Sequence, residues 1–137
     1  MPRFVDTNIL LYSISRDPAE REKCEKALEL LKERDLALSA QVLQEFYWQS
    51  TRTARSPRIR HEAAVALIKA WGRFPVQAIS VDLVSTALEI RGRYGLSYWD
   101  AAIIAAAQAL GCNELLSEDM SHGQQIGSVR IVNPFRT

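Results

Sequence analysis

Asp6, Glu45, Asp100 and Asp119 are the residues of this chain whose type and placing could do chemistry. They lie far apart in sequence, yet each falls where a strand is expected to end or where the helix after it carries on. In a parallel α/β sheet such positions converge, because ligands bind just outside the carboxyl ends of the strands. The outcome would be a pocket of up to four carboxylates with no neighbouring lysine or arginine to neutralise them. Hard oxygen donors with room left for water and phosphate suit Mg²⁺ or Mn²⁺, and a site of that kind most often serves phosphoryl transfer or phosphodiester cleavage. The pattern therefore points to a metal-dependent nuclease, with Asp6, Glu45, Asp100 and Asp119 as catalytic groups and metal ligands.

Each acid also has a purely structural reading. Asp6 could cap a helix beginning near Thr7, Asp100 completes a capping box in Ser97-Tyr98-Trp99-Asp100, Asp119 could be a turn residue, and Glu45 could be plain helix surface. Two contexts favour the functional reading. Glu45 is flanked by Leu43, Phe46, Tyr47 and Trp48, and Asp100 is followed at once by the apolar run Ala101 to Ala107. A carboxylate that starts a buried helix needs a partner, and the other acids plus a cation supply one.

The elements that must carry these groups alternate. Arg3 to Asp6 reads as a first strand and Thr7 to Ser13 as the helix after it. Asp17-Pro18-Ala19-Glu20 is a helix start with an N-cap and a proline at the first position. From there Cys24, Ala27, Leu28 and Leu31 recur at helical spacing to about Arg34. Leu36 to Ser39 is the second strand. A third helix runs from Ala40 to about Arg55, broken by Ser56-Pro57, since the residue before proline disfavours the α region. Ala64, Leu67, Ile68 and Trp71 mark a fourth helix. A strand at Val76 to Ile79 follows, then a helix from about Asp82 to Tyr94 closed by Gly95, another from Tyr98 to Leu110 closed by Gly111, and strands at Glu114 to Ser117 and Val129 to Val132. The fold class is α/β, a mostly parallel central sheet of about five strands with helices on both faces.

The 137 residues are enough for one domain and one two-sided core, residues 1–137. Hydrophobic residues at 47% and charged residues at 24% are ordinary for a folded domain and exclude disorder. The longest apolar run, seven residues from Ala101 to Ala107, cannot span a bilayer, and the N-terminus lacks the features of a signal peptide, so a cytoplasmic protein with no membrane partner is expected. Cys24 and Cys112 have no metal-ligand spacing and read as free thiols. The net charge of +1 announces no nucleic acid. Locally, however, Arg52, Arg55, Arg58 and Arg60 occur between Thr51 and His61 with no acid, a patch able to track a phosphate backbone as substrate-binding residues. Trp48, Tyr98 or Trp99 could stack a base, or serve as core at helical spacing; Trp48 and Trp71 could equally be docking surface or core. His61 and His122 read as surface residues.

Four blocks together resemble the PIN domain, specifically the VapC-type toxins of toxin–antitoxin pairs. They are Phe4-Val5-Asp6-Thr7-Asn8, Ser39 through Val42 to Glu45, Leu96 to Ile103 containing Ser97-Tyr98-Trp99-Asp100, and Leu115-Leu116-Ser117-Glu118-Asp119. The resemblance runs from residue 4 to about Phe135. It implies a Mg²⁺- or Mn²⁺-dependent endoribonuclease that leaves a 5′-phosphate and a 3′-hydroxyl, with Asp6, Glu45, Asp100 and Asp119 as the acidic quartet and Asn8 and Ser117 as polar support. It also implies an RNA substrate and restraint by a VapB-type antitoxin whose tail brings a cation to the acids; a homodimer is expected as well. The chain departs from the family pattern at Ser117, where many relatives have threonine, and from Met120 to Gly123, where an apolar-aromatic turn is common. Three rivals remain: a haloacid-dehalogenase-type phosphatase, which wants an aspartate where Asn8 stands; a phospho-receiver signalling domain, which wants a late lysine whereas the last here is Lys69; and a non-catalytic RNA-binding PIN protein, which would lack an acid.

Overall fold

A computed structural model describes residues 2–55 and 57–136. Ser56, half of the expected helix break, lies outside the described residues. Six strands form one sheet in the order β3-β2-β1-β4-β6-β5. They are β1 Arg3–Val5, β2 Leu36–Ser39, β3 Val76–Gln77, β4 Glu114–Leu116, β5 Gln125–Ile126 and β6 Val129–Val132. All neighbours pair in parallel except β5 with β6. The sheet thus has one strand more than the sequence suggests: β5 is two residues long, too short for an alternating pattern to register.

The helices are α1 Thr7–Ser13, α2 Arg21–Leu31, α3 Ala40–Thr51, α4 His61–Trp71, α5 Val81–Tyr94 and α6 Tyr98–Ala109. Three start where their sequences place a hydroxyl ahead of the first turn, Ser80 of α5 among them, accepting from the Leu83 amide. Ser39 accepts from the Val42 amide and Ser97 from the Asp100 amide, each satisfying an orphan N–H of a first turn. Asp17-Pro18-Ala19-Glu20 opens with the expected cap, Asp17 accepting from Ala19, but as a short 3-10 turn leading into α2 rather than as the first turn of α2 itself. Expected boundaries shift elsewhere by a few residues. The third helix stops at Thr51, where Arg52 turns extended (φ −65°, ψ 148°), and not at Arg55; α2 ends at Leu31 and β3 at Gln77. Gly95 closes α5 at φ +69°, a left-handed conformation that a side chain would strain.

The central strands are apolar on both faces, as a parallel sheet covered on two sides requires. Phe4, Val5, Leu36, Ala37, Leu38, Leu115 and Leu116 are fully buried. The whole Ala101–Ala107 stretch of α6 is buried too, which explains why that helix lacks a polar face. Trp71 belongs to this core, edge-on to Phe46 with ring centroids 4.7 Å apart, so it is no docking surface. Trp48 is the opposite case at 63% exposed. Both cysteines are free thiols, and burial pushes the Cys112 thiol up to about 11, which leaves it inert. No helix is long and apolar enough to cross a membrane among the described residues.

Candidate active site

The ends of β1 and β4, α3 and the first turn of α6 bring all four expected acids together. β1 lies beside β4 in register, Val5 opposite Leu116, so the residues that come next, Asp6 and Ser117, emerge side by side. The Asp6 amide donates to the Leu116 carbonyl at 3.0 Å, extending the ladder by one residue. Asp6 therefore does not belong to the strand, as the sequence suggests, but caps α1, its Oδ1 accepting from the Thr7 amide at 2.7 Å. Ser117 donates its hydroxyl to the other oxygen, Oδ2, also at 2.7 Å. Asp6, Glu45, Asp100 and Asp119 line one cavity of about 370 Å³, together with Thr7, Asn8, Trp48, Gln49, Trp99 and Ile103. No lysine or arginine is among its lining residues.

Asn8 ties the pieces together. Its Nδ2 donates to Asp119 Oδ2 at 3.1 Å, with longer 3.4 Å approaches to Asp6 Oδ2 and Ser117 Oγ, while its Oδ1 accepts from the Glu118 amide at 3.3 Å. Asn8 and Ser117, expected as polar support, thus hold the segment after β4 against the start of α1. Two further groups were not legible as site residues. Thr7 donates its hydroxyl to Glu45 Oε1 at 2.8 Å, and Gln41, one helical turn before Glu45, approaches Glu45 Oε2 at 3.4 Å and the Trp99 carbonyl at 3.2 Å. Thr7 lies inside the Phe4–Asn8 block, and Gln41 sits four residues before Glu45 on the same helix face. Both are buried polar side chains, the combination that structure exposes and sequence does not.

Burial and crowding act on the acids. Asp6, 7% exposed, has its carboxyl raised from 3.8 to about 6, first by loss of water, with the Ser117 and Thr7 hydrogen bonds opposing and the charges of Glu45 and Asp100 adding to the rise. Asp100 is raised by the same desolvation, opposed by Ser97 and helped by Asp119 and Glu45. Repulsion between the acids is therefore the lesser cause. Among the described residues no carboxylate is hydrogen-bonded to another; Asp6, Glu45 and Asp119 are held by hydroxyls and amides instead. Among the described residues no three His, Cys, Asp or Glu side chains converge as a ready-made ion site. The donor set nonetheless has the chemistry of a hard-cation site: carboxylates from four separate positions, no lysine or arginine among the lining residues described, and one acid raised to about 6, first by burial.

The arginines stand apart. Arg58 and Arg60 line a second cavity of about 480 Å³ with Tyr47, Thr51, Ile59, His61 and Glu62, while Arg52 and Arg55 line neither. Arg58 donates to Thr53 at 3.2 Å and Arg60 faces Glu62 at 3.9 Å. The two cavities share α3, whose Tyr47 and Thr51 line the second and whose Glu45, Trp48 and Gln49 line the acidic one. His61 and His122 are exposed as expected; His61 Nδ1 pairs with the Tyr47 hydroxyl at 2.9 Å, and His122 Nδ1 accepts from the Asn133 amide, pinning the rim that follows Asp119.

The sequence profile of the PIN domain matches residues 3–122. No curated protein matches the chain at a significant level. Solved structures do. A toxin–antitoxin complex from Klebsiella pneumoniae superposes with a TM-score of 0.71 at 23% identity, over 98% of this chain and 99% of that one. VapC20 of Mycobacterium tuberculosis, described as a sarcin-ricin loop cleaving toxin, gives 0.66 at 25% identity, over 93% and 98%. VapBC2 from Rickettsia felis, bound to a DNA fragment from its promoter, gives 0.63 at 20% identity, over 96% and 97%.

Proposed function

Because the chain belongs to the PIN domain family, we propose that it is a Mg²⁺- or Mn²⁺-dependent endoribonuclease acting as the toxin of a toxin–antitoxin pair. The observation that carries the reading is the single cavity lined by Asp6, Glu45, Asp100 and Asp119 with no cation among its lining residues. Likeness over nearly the whole length to a toxin described as cleaving the sarcin-ricin loop supports the choice of substrate, and likeness to toxin–antitoxin complexes supports an antitoxin as partner. The cytoplasm, where RNA and such a partner are found, is the proposed location.

In this reading Asp6, Asp100, Asp119 and Glu45 hold the divalent ion, which when bound supplies a nucleophile at neutral pH and offsets the charge gathering on the scissile phosphate. The chain's own groups hold the oxygens in position. Ser117 and the Thr7 amide fix both oxygens of Asp6, so its orientation is set before substrate arrives. Thr7 and Gln41 do the same for Glu45, and Asn8 for Asp119. Burial raises the Asp6 carboxyl to about 6, so below that pH a proton would compete with a cation for its oxygens. Neither His61 nor His122 lines the cavity, and no histidine acid–base pair takes part.

The test is cleavage of a synthetic single-stranded oligoribonucleotide in Mg²⁺ and Mn²⁺, with product ends identified. A 5′-phosphate and 3′-hydroxyl are expected, chelator should abolish the reaction, and Asp100→Asn should lower the rate by orders of magnitude with the fold intact. Asp100→Asn with near wild-type activity in Mn²⁺ would refute the assignment. In cells, expression alone should arrest growth and co-expression of the adjacent antitoxin should relieve it; harmless high-level expression would remove the toxin role while leaving a PIN-type nuclease.

A further inference from the structure

Trp48 and Trp99 are the most exposed aromatic residues of the chain, 63% and 64% open to solvent, and both line the acidic cavity. They come from different elements, Trp48 from α3 and Trp99 from the first turn of α6. Each neighbours an acid: Trp48 is three residues after Glu45 and Trp99 directly precedes Asp100. The surroundings hold them without covering them. Tyr98 meets Trp99 edge-on at 5.0 Å, the Trp99 carbonyl accepts from Gln41, and the third tryptophan, Trp71, is in the core. Leaving two indoles in water beside a cluster of acids is unfavourable in the isolated domain, and exposed apolar surface rimmed by polar groups marks a binding site.

We propose that Trp48 and Trp99 are stacking platforms for unpaired nucleobases of the strand whose phosphate is held at the acids. This rests on the nuclease reading and sharpens it. An acidic pocket can take a phosphodiester only together with a cation, so the affinity for the strand must come from elsewhere. Planar aromatic faces supply it without base selection, since every base has a π-face. Arg58 and Arg60 line the other cavity, so among the residues described as lining the acidic one the indoles are the groups suited to a base. A duplex keeps its bases stacked inside and presents none to the indoles.

The full chain is titrated, in Ca²⁺ to limit turnover, with a single-stranded oligoribonucleotide, the same sequence as a duplex, and versions carrying one abasic nucleotide at each position in turn. Single strand should quench tryptophan fluorescence and duplex should not. Trp48→Ala and Trp99→Ala, both at exposed positions where the fold does not depend on the indole, should each weaken binding about tenfold, the lower part of the range for one stacked base. One abasic position should cost wild type a similar factor and cost the matching variant nothing further, a coupling that a merely structural role for tryptophan would not give. Equal binding by variants and wild type, or losses that add for every abasic position, would overturn the platforms while leaving cleavage intact. Variants that bind the strand normally but escape the antitoxin would also overturn them and assign the rim to the protein partner. A wild-type chain that neither binds nor cleaves RNA would sink the nuclease reading as well.

Discussion

Asp6→Asn is expected to make the ion-free protein more stable while it removes cleavage. The Asp6 carboxyl is raised from 3.8 to about 6, with burial as the first cause. The folded chain then holds this proton more tightly than the unfolded chain does, so stability falls as pH climbs from the unfolded value through the folded one. Above about pH 6 the whole cost is present, and a shift of this size amounts to about 3 kcal/mol; below the unfolded value it is absent. Asparagine keeps the shape and still accepts from the Thr7 amide, but the Ser117 hydroxyl must turn from donor to acceptor and the 3.4 Å approach of Asn8 becomes a donor facing a donor. That exchange costs about 1 kcal/mol. A net gain of about 2 kcal/mol remains near pH 7.5, or about 6 °C in Tm at roughly 3 °C per kcal/mol for a domain of this size. Near pH 4.5 the ionisation cost of the wild type has dropped to about 1 kcal/mol, and the two proteins should melt together. The assay is a pair of melting curves in chelator at the two pH values. A Tm difference that is the same at both, or a variant less stable at the higher pH, would refute the account of Asp6 as an ionised group held without a cation.

Millimolar Mg²⁺ or Mn²⁺ should raise the wild-type Tm, by about 8 °C once the ion is a hundredfold above its Kd (about 2.7 kcal/mol), and Asp119→Asn should blunt the shift; a melting curve indifferent to metal would count against the four acids as ligands. Thr7→Val removes the hydroxyl that donates to Glu45 and should lower kcat about tenfold with little change in KM, while Thr7→Ser should restore it, as read by steady-state cleavage. Glu118, held below its ordinary carboxylate range by hydrogen bonds from Lys23 and Tyr12 that outweigh its own desolvation, adds stability that is present above its unfolded value and lost as pH falls through the folded one. Glu118→Gln should therefore lower Tm at neutral pH and leave it unchanged in acid, checked by the same melting curves.

The acids were legible because their chemistry is improbable where they stand: a carboxylate opening a helix that is apolar all round has to answer to something outside the helix, and Asp100 does. Strand positions were legible for the related reason that a buried parallel strand is apolar on both faces, as Phe4-Val5 and Leu115-Leu116 are. Thr7 and Gln41 were not, because a threonine after a cap and a glutamine in a first turn are ordinary there, and only the fold reveals that both reach Glu45. The tryptophans were ambiguous for a different reason. Helical spacing is the same for Trp71 in the core and Trp48 at the cavity, and burial alone separates them. What sequence least conveys is the choice of partners for the acids. A lysine or arginine beside Asp6 would have kept it ionised and the domain more stable, but would have competed with any entering ion. Hydroxyls and amides from Thr7, Asn8, Ser117 and Gln41 fix the oxygens and leave their charge uncancelled. Burial raises the Asp6 carboxyl more than those hydrogen bonds lower it, and the cost to stability that remains is what a bound cation would relieve.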